Sequence, residues 1–343
     1  MGKKVLILGI NGFIGSHLSD SIMASTDWEI RGLDLENHNI LPHMGQDRFT
    51  FKQGNMLDEA AWIEESIQWA DTLLPLVAIA NPALYVSDPL RVFDLDFQAN
   101  LPFLELCKQH NTHLVFPSTS EVYGMCADPY FIEASSPLVL GPIHETRWIY
   151  SCIKQLLDRL IHAQGKKGLQ YTLFRPFNWI GPRLDSLAPG QEYRARAITR
   201  FMADIVRQGK ISLVDGGAQR RCFLDVRDGV QGLLTIIENK NKCADQEIFN
   251  LGDPTQNFSI GELAGLILTQ MKGHASLKAF AEKAVIETVT AATHYGAGYA
   301  DVTHRVPQIT QAETVLGWQP TYRLPETLDW ILSESTAQLM RGD

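Results

Sequence analysis

The chain has 343 residues, more than one typical core holds, so one large or two interlocked domains are expected. With 45% apolar and 20% charged residues it has the composition of an ordinary globular protein, which excludes a disordered or fibrous chain. A net charge of −9 argues against a nucleic-acid surface as its main business, yet leaves small anionic ligands open, because a local arginine cluster binds phosphate on an acidic protein.

The five cysteines (107, 126, 152, 222 and 243) are scattered, with no Cys-x-x-Cys pair and no His/Cys ladder. They read as free thiols in a reducing compartment, and no metal site is expected. Two lysines near the start are followed within a few residues by a strand and a glycine loop, without the length or cleavage site of a signal peptide. No apolar run approaches the ~20 residues of a membrane helix. The expectation is a soluble, cytoplasmic protein with neither nucleic acid nor membrane as a partner.

Val5 to Leu8 is a short continuous apolar run, as in a strand buried on both faces of a parallel sheet. It enters Gly9-Ile10-Asn11-Gly12-Phe13-Ile14-Gly15 and then a helical stretch to about Ala24. Glycines at this spacing allow a tight turn, let backbone N–H groups approach a pyrophosphate, and let the helix pack closely on its strand. Three glycines in a loop are, by themselves, more often only a turn. A second strand, Glu29 to Leu33, ends in Asp34, 19 residues past Gly15. A carboxylate there accepts both adenosine ribose hydroxyls and repels a 2′-phosphate, which favours NAD over NADP. The blander role for Asp34 is a loop cap, but the order strand, loop, helix, strand, acid favours the cofactor.

The alternation continues. Phe49 to Gln53 is a third strand, with Asn55-Met56 at the adenine edge, and residues 58–67 are helical. A fourth strand over Thr72 to Ile79 ends in Ala78-Ile79-Ala80, which would pass beneath the cofactor. Residues 90–110 have helical periodicity, and a fifth strand, His113 to Phe116, delivers Pro117-Ser118-Thr119-Ser120-Glu121-Val122-Tyr123-Gly124. Residues 146–164 form a helix carrying Tyr150 and Lys154, and Gln170 to Phe174 is a sixth strand. Residues 183–220 open a substrate lobe, 222–238 return to the first domain, and Ser259–Glu262 and Thr310–Glu313 have capping-box patterns. The fold class is therefore α/β, a doubly wound parallel Rossmann sheet with a smaller interleaved α+β substrate lobe. Residues 1–178 plus about 221–250 form the first domain, and 179–220 plus about 251–343 form the lobe.

Tyr150 and Lys154 sit at i and i+4, so they share one helix face. Tyrosine is a poor base at its free pKa of about 10, but a neighbouring ammonium and the positive nicotinamide both favour the phenolate. Such a phenolate takes a hydroxyl proton while hydride leaves the same carbon for NAD. Thr119 would supply a second hydrogen bond to that oxygen. The competing role is a buried aromatic beside a snorkelling lysine.

On these motifs the chain resembles the extended short-chain dehydrogenase/reductases that modify nucleotide sugars, from the first strand to Leu316-Gly317-Trp318-Gln319-Pro320. Dehydratases of that family generally carry Asp-Glu where this chain has Ser120-Glu121, and 4-epimerases generally lack the glutamate. Ser-Glu resembles the nucleotide-uronate decarboxylases. The runs Leu76–Ala80, Pro117–Met125, Arg147–Ser151, Lys154–Arg159, Phe174–Trp179 and Gly298-Tyr299 are similar to the UDP-glucuronate decarboxylase half of the bifunctional polymyxin-resistance enzymes. Their formyltransferase half has no counterpart here, so only the decarboxylase activity would carry over.

The resemblance implies that NAD oxidises C4 of UDP-glucuronate with Tyr150 as base, after which the C5 carboxylate is lost as carbon dioxide. Catalysis would fall to Thr119, Ser120, Glu121, Tyr150, Lys154 and Arg305. Arg305 matches the residue thought to protonate C5, and Glu121 its partner. Cofactor contacts would come from Gly9, Asn11, Gly12, Phe13, Ile14, Gly15, Asp34, Asn55, Met56, Ala78, Tyr150 and Lys154. Substrate contacts would come from Ala80, Tyr85, Thr119, Ser120, Arg147, Asn178, Arg221 and Tyr299. The lobe would then bind the nucleotide sugar, and helices 90–110 and 146–164 would pair in a homodimer.

Ser212 stands where the relative has lysine, and Asn55 where aspartate is usual. Asn81, Leu84 and the 183–196 segment also depart. Plant apiose/xylose synthase has cysteines at the positions of Ala80 and Ser120, so apiose is not an expected product. Three alternatives stay open: a UDP-xylose synthase that reduces the ketone before release, another nucleotide-sugar epimerase or dehydratase, and a non-enzymatic NAD sensor.

Overall fold

The computed structural model describes residues 2–185, 195–290, 302 and 304–340. Six strands alternate with six helices over its first half. The strands are β1 (Lys4–Leu8), β2 (Glu29–Asp34), β3 (Phe49–Gln53), β4 (Thr72–Pro75), β5 (His113–Pro117) and β6 (Tyr171–Pro176). The helices are α1 (Phe13–Ser25), α2 (Ala60–Trp69), α3 (Pro82–Ser87), α4 (Pro89–Asp96), α5 (Leu101–His110) and α6 (Trp148–Gly165). There follow β7 (Trp179–Ile180), α7 (Ala197–Gln208), β8 (Lys210–Val214), β9 (Arg220–Cys222), β10 (Leu224–Asp225), α8 (Val226–Glu238) and β11 (Glu247–Leu251). The chain continues through β12 (Asn257–Ser259), α9 (Ile260–Gly273), α10 (Lys278–Lys283), β13 (Val285–Val289) and α11 (Leu324–Met340).

Seven strands form one parallel sheet in the order β11-β6-β5-β4-β1-β2-β3. Helices cover both faces, which is why β1 reads Val-Leu-Ile-Leu without alternation and is buried from Val5 onward. The strand order reverses between β1 and β4, and at such a switch point the carboxyl ends diverge into a ligand crevice. The doubly wound α/β expectation holds. A further apolar cluster, including Phe201, Ile211, Leu263, Ile267, Leu328 and Ile331, lies under α7, α9 and α11, with β8 paired to β13 and β9 to β12.

Three local expectations differ from the structure. The fourth strand stops at Pro75, and residues 76–80 leave the ladder to cross the glycine loop, so closely that a Cβ on Gly9 would lie 2.9 Å from the Val77 nitrogen. The helical 90–110 stretch is two helices, α4 and α5, separated by a 3-10 turn. Pro102 in the first turn of α5 has no N–H with which to continue α4. Ser259 and Glu262 do form a reciprocal capping box, whereas Thr310 caps nothing in the Ala312–Leu316 π-turn, because the Glu313 N–H already bonds the Ile309 carbonyl.

Candidate active site

The carboxyl ends of β1, β2, β4 and β5 gather the residues singled out above. Gly9 adopts φ +84°, a left-handed conformation that side chains rarely take, and a Cβ on Gly15 would lie 2.5 Å from the Gly9 carbonyl oxygen. Gly12 precedes α1 and offers no side-chain cap. The Ser16 N–H makes the first helical bond, to the Gly12 carbonyl, so the N–H groups of residues 13–15 open toward any anion seated at this end. Asp34 is tied to the same loop, accepting from the Asn11 N–H at 2.8 Å and from the Leu35 N–H at 2.7 Å. Burial raises its pKa, against the lowering effect of those N–H groups.

Asn11 is held in turn by Asn39, whose backbone N–H donates to its side-chain oxygen at 2.7 Å, a contact no sequence motif announced. Asn55 folds into a surface turn with Asp58 and Leu57, while Met56 is buried in the core with Leu6 and Leu33. Phe13 stands edge-on to His17, and Ile14 and Phe13 both pack against the core. Ala78 is half-buried on the segment crossing the loop.

Beyond β5, the Thr119 hydroxyl accepts from the Glu121 N–H at 3.1 Å and starts a 3-10 turn, Ser120–Tyr123. That turn buries Ser120 and aims Glu121 inward. Tyr150, on α6, is buried and hydrogen-bonds Thr119. Tyr85, from α3, stacks on it with ring centroids 4.6 Å apart and 7° from parallel. Lys154 donates to the Pro117 carbonyl at 2.8 Å, and its ammonium lies 5.8 Å from the centre of the Tyr150 ring. Burial depresses the Lys154 pKa, offset by Asp96 and then Asp158.

Within the protein itself the surroundings of Tyr150 favour its neutral hydroxyl, which leaves the positive nicotinamide as the other influence toward the phenolate. Burial, then the charges of Asp96 and Glu121, push the Tyr150 pKa up, while the Lys154 ammonium is engaged by the Pro117 carbonyl. Spacing on a helix gave the shared face but not the dielectric.

Glu121 is the electrostatic centre. Its two oxygens meet Arg305 at 2.5 Å and Arg147 at 3.0 Å, both guanidinium groups being almost fully buried. Burial opposes its ionisation, but Arg305, then Arg147 and more distantly Arg221 outweigh that and hold its pKa below the usual carboxylate range. Arg305 is placed by the insert between β5 and α6: the Phe131 N–H donates to the Val306 carbonyl at 2.7 Å, and His304 bonds the Pro129 carbonyl at 2.7 Å. Arg147 sits at the exit of the same insert.

Asn178 adopts φ +40° and donates to the Cys222 carbonyl at 3.0 Å, tying the end of β9 to the residue before β7, on which β10 pairs. Arg221 reaches the Val302 carbonyl at 2.7 Å. Ala80 is exposed. Tyr299 lies outside the described residues. Ser212 bonds Glu287 at 2.7 Å, and Lys210 pairs with the same carboxylate oxygen at 2.7 Å.

Sequence reasoning missed two features beneath the site. Asp158 accepts from Ser118 at 2.8 Å and pairs with Arg175 at 3.1 Å, and Arg175 continues to the Tyr123 hydroxyl at 2.9 Å. Asp96, at the end of α4, is fully buried. Only the i+8 spacing of Tyr150, Lys154 and Asp158 on one helix could have found the first, and no pattern marks the second. Among the described residues, no group of three or more His, Cys, Asp or Glu side chains could hold a metal ion, and no helix is long and apolar enough to cross a membrane.

A switch-point crevice lined by a glycine turn, an open helix end and a loop-bound carboxylate defines a dinucleotide-binding α/β protein. The model of the NAD dependent epimerase/dehydratase family matches residues 5–252. The PbgP3 protein from Burkholderia pseudomallei is 44% identical over 99% of this chain and 98% of its own, with a TM-score of 0.90. UDP-glucose 4-epimerase from Thermotoga maritima is 21% identical over 98% of this chain and 99% of its own, with a TM-score of 0.78. dTDP-glucose 4,6-dehydratase from Bacillus anthracis, solved with NAD, is 20% identical over 98% and 97%, with a TM-score of 0.78; these last two show the shared fold. The chain belongs to the NAD dependent epimerase/dehydratase family and is an enzyme of the extended short-chain dehydrogenase/reductase type, with NAD as its cofactor. Its residues fit that group: Gly9 and Gly15 allow the tight turn and its close packing, and Gly12, the uncapped α1 behind it and Asp34 match pyrophosphate and ribose chemistry.

Proposed function

We propose that the enzyme oxidatively decarboxylates UDP-glucuronic acid through a 4-keto intermediate, giving UDP-4-keto-pentose. The observation that carries this reading is the ion cluster of Glu121 with Arg147 and Arg305, beside the Thr119–Tyr150 pair. Two guanidinium groups pair with one carboxylate and a third, Arg221, acts on it electrostatically, a positive environment suited to a uronate and a diphosphate.

Asp34, the glycine loop and the first turn of α1 would hold NAD, which would supply the hydride acceptor for C4. Tyr150 takes the proton of the C4 hydroxyl, Thr119 hydrogen-bonds the same oxygen, and Lys154 orients the pair. The C5 carboxylate is then β to a ketone. Its C–C bond breaks, carbon dioxide leaves, and the electron pair passes to the C4 oxygen as an enolate that the Thr119 and Tyr150 hydroxyls stabilise. Ser120 leaves room for the departing carboxylate. A proton returns to C5 from Arg305; Glu121, held ionised, keeps that guanidinium in place.

Residues 1–178 plus about 221–250 would bind NAD, and 179–220 plus about 251–343, with Asn178, Arg221, Tyr299, Ala80 and Tyr85 at the junction, the nucleotide sugar. We infer a cytoplasmic homodimer through α4, α5 and α6, which expose Leu90, Leu101 and Leu156. The test is incubation with UDP-glucuronate and NAD, following NADH absorbance and the sugar product together. NADH accumulating with the 4-keto-pentose supports the reading; xylose without net NADH selects internal re-reduction; neither product refutes both.

A further inference from the structure

Asp96 closes α4 where that helix packs on α6 and α3. One carboxylate oxygen accepts from the Ile79 N–H at 2.9 Å, at the middle of the Ala78–Ala80 segment that leaves β4 over the glycine loop. The other oxygen is buried with no hydrogen-bond partner among the described residues. The ionisable groups facing Asp96 are Lys154 and Tyr150 from α6 and Tyr85 from α3. Lys154 is the cation of that set, yet no direct ion pair joins it to Asp96 among the described residues. Asp158, the other carboxylate felt by Lys154, is already paired with Arg175 and Ser118. Asp96 and Lys154 are therefore two buried groups that act as counter-charges to each other, and whatever charge Asp96 carries is felt at Tyr150.

We propose that Asp96 is a positioning residue of this site: one oxygen fixes the Ala78–Ala80 segment that follows β4, and its charge balances Lys154 so as to set the pH at which Tyr150 can take a proton. The assignment rests on the reaction proposed above and adds to it a group that touches neither sugar nor ring. Two effects follow in opposite directions. An ionised Asp96 attracts the positively charged nicotinamide ring of the oxidised cofactor, and it raises the Tyr150 pKa. Burial raises the pKa of Asp96 itself to about 6, against the pull of Lys154, so its charge changes near neutral pH.

The experiment compares the wild type with Asp96→Asn and Asp96→Ala. NAD is titrated directly by protein fluorescence on both sides of pH 6. Wild-type affinity should rise through an ionisation near pH 6, and Asp96→Asn, which keeps an acceptor for the Ile79 N–H but no charge, should lack that step. Asp96→Ala, checked for folding by circular dichroism, should bind NAD about tenfold more weakly than Asp96→Asn, because the buried Ile79 N–H loses its acceptor. In turnover, the acidic limb of kcat/KM should move down by on the order of one pH unit in Asp96→Asn. Superimposable NAD titrations and pH profiles for wild type and Asp96→Asn would overturn the proposal. If the wild type makes nothing from UDP-glucuronate but the NAD ionisation is present and lost in Asp96→Asn, the reaction falls and the role of Asp96 stands.

Discussion

Glu121 and Arg305 meet at 2.5 Å, one from the turn after β5 and the other from a segment near the carboxyl end, tied down by the insert before α6. Removing Arg305 leaves Glu121 with Arg147 and its carboxylate less well compensated. Arg305→Ser should cut carbon dioxide release at least ~100-fold, since the site loses both a guanidinium of the positive cluster proposed to hold the uronate and the proton donor to C5. It should also cost about 3–5 kcal/mol of stability, the price of breaking a buried pair. Product analysis and denaturant unfolding read the two effects separately, and unchanged decarboxylation refutes the proposed role.

Tyr150→Phe keeps the ring on which Tyr85 stacks and removes the hydroxyl that meets Thr119. The variant should bind NAD as the wild type does while kcat falls ~100- to 10,000-fold. A fall in NAD affinity with kcat preserved would instead mark the tyrosine as a binding residue.

Asp34 accepts the Asn11 and Leu35 N–H groups and keeps an acceptor edge for ribose hydroxyls. Asp34→Ala should weaken NAD binding about 10- to 100-fold, as expected for a hydrogen bond to a charged group, and should narrow the preference over NADP. Calorimetric titration with both dinucleotides measures the ratio. An unchanged ratio would remove Asp34 from the ribose site.

His113 is buried at the start of β5, and its Nε2 bonds the Thr172 hydroxyl at 2.9 Å, whose own proton goes to the Ala244 carbonyl. Burial, then the charge of Lys3, lowers its pKa to about 4 from 6.5, so the folded protein resists protonation that the unfolded chain accepts. Stability from this group is complete above pH 6.5 and is lost as the pH falls toward 4. Between pH 7 and 5 the wild type should lose about 2 kcal/mol more than His113→Gln in denaturant melts. Equal losses would show that His113 does not titrate as stated.

The cofactor half of the site was legible because it is local. Strand, glycine turn, helix, strand and Asp34 follow one another in β1 to β2, and a single period change separates them. Tyr150 and Lys154 were legible for the same reason, sharing one helix face. The Glu121–Arg305 pair was not, since the two residues come together only through the insert, and family resemblance alone drew attention to them. Asp96 gave no signal at all: an acid in a polar-looking helix becomes a buried charge only when α4 packs on α6. Local patterns also misled where the backbone was already satisfied, as at Thr310, and where a proline restarted a helix, as at Pro102. The protonation state of Tyr150 depends on burial, which spacing does not report.

The most direct test of the reaction is carbon dioxide released from UDP-glucuronate labelled at its carboxyl carbon, in the presence of NAD and wild-type enzyme. The account predicts labelled carbon dioxide in step with a 4-keto-pentose product, abolished in Tyr150→Phe and in Arg305→Ser. Oxidation or epimerisation of the sugar with the label retained would contradict it.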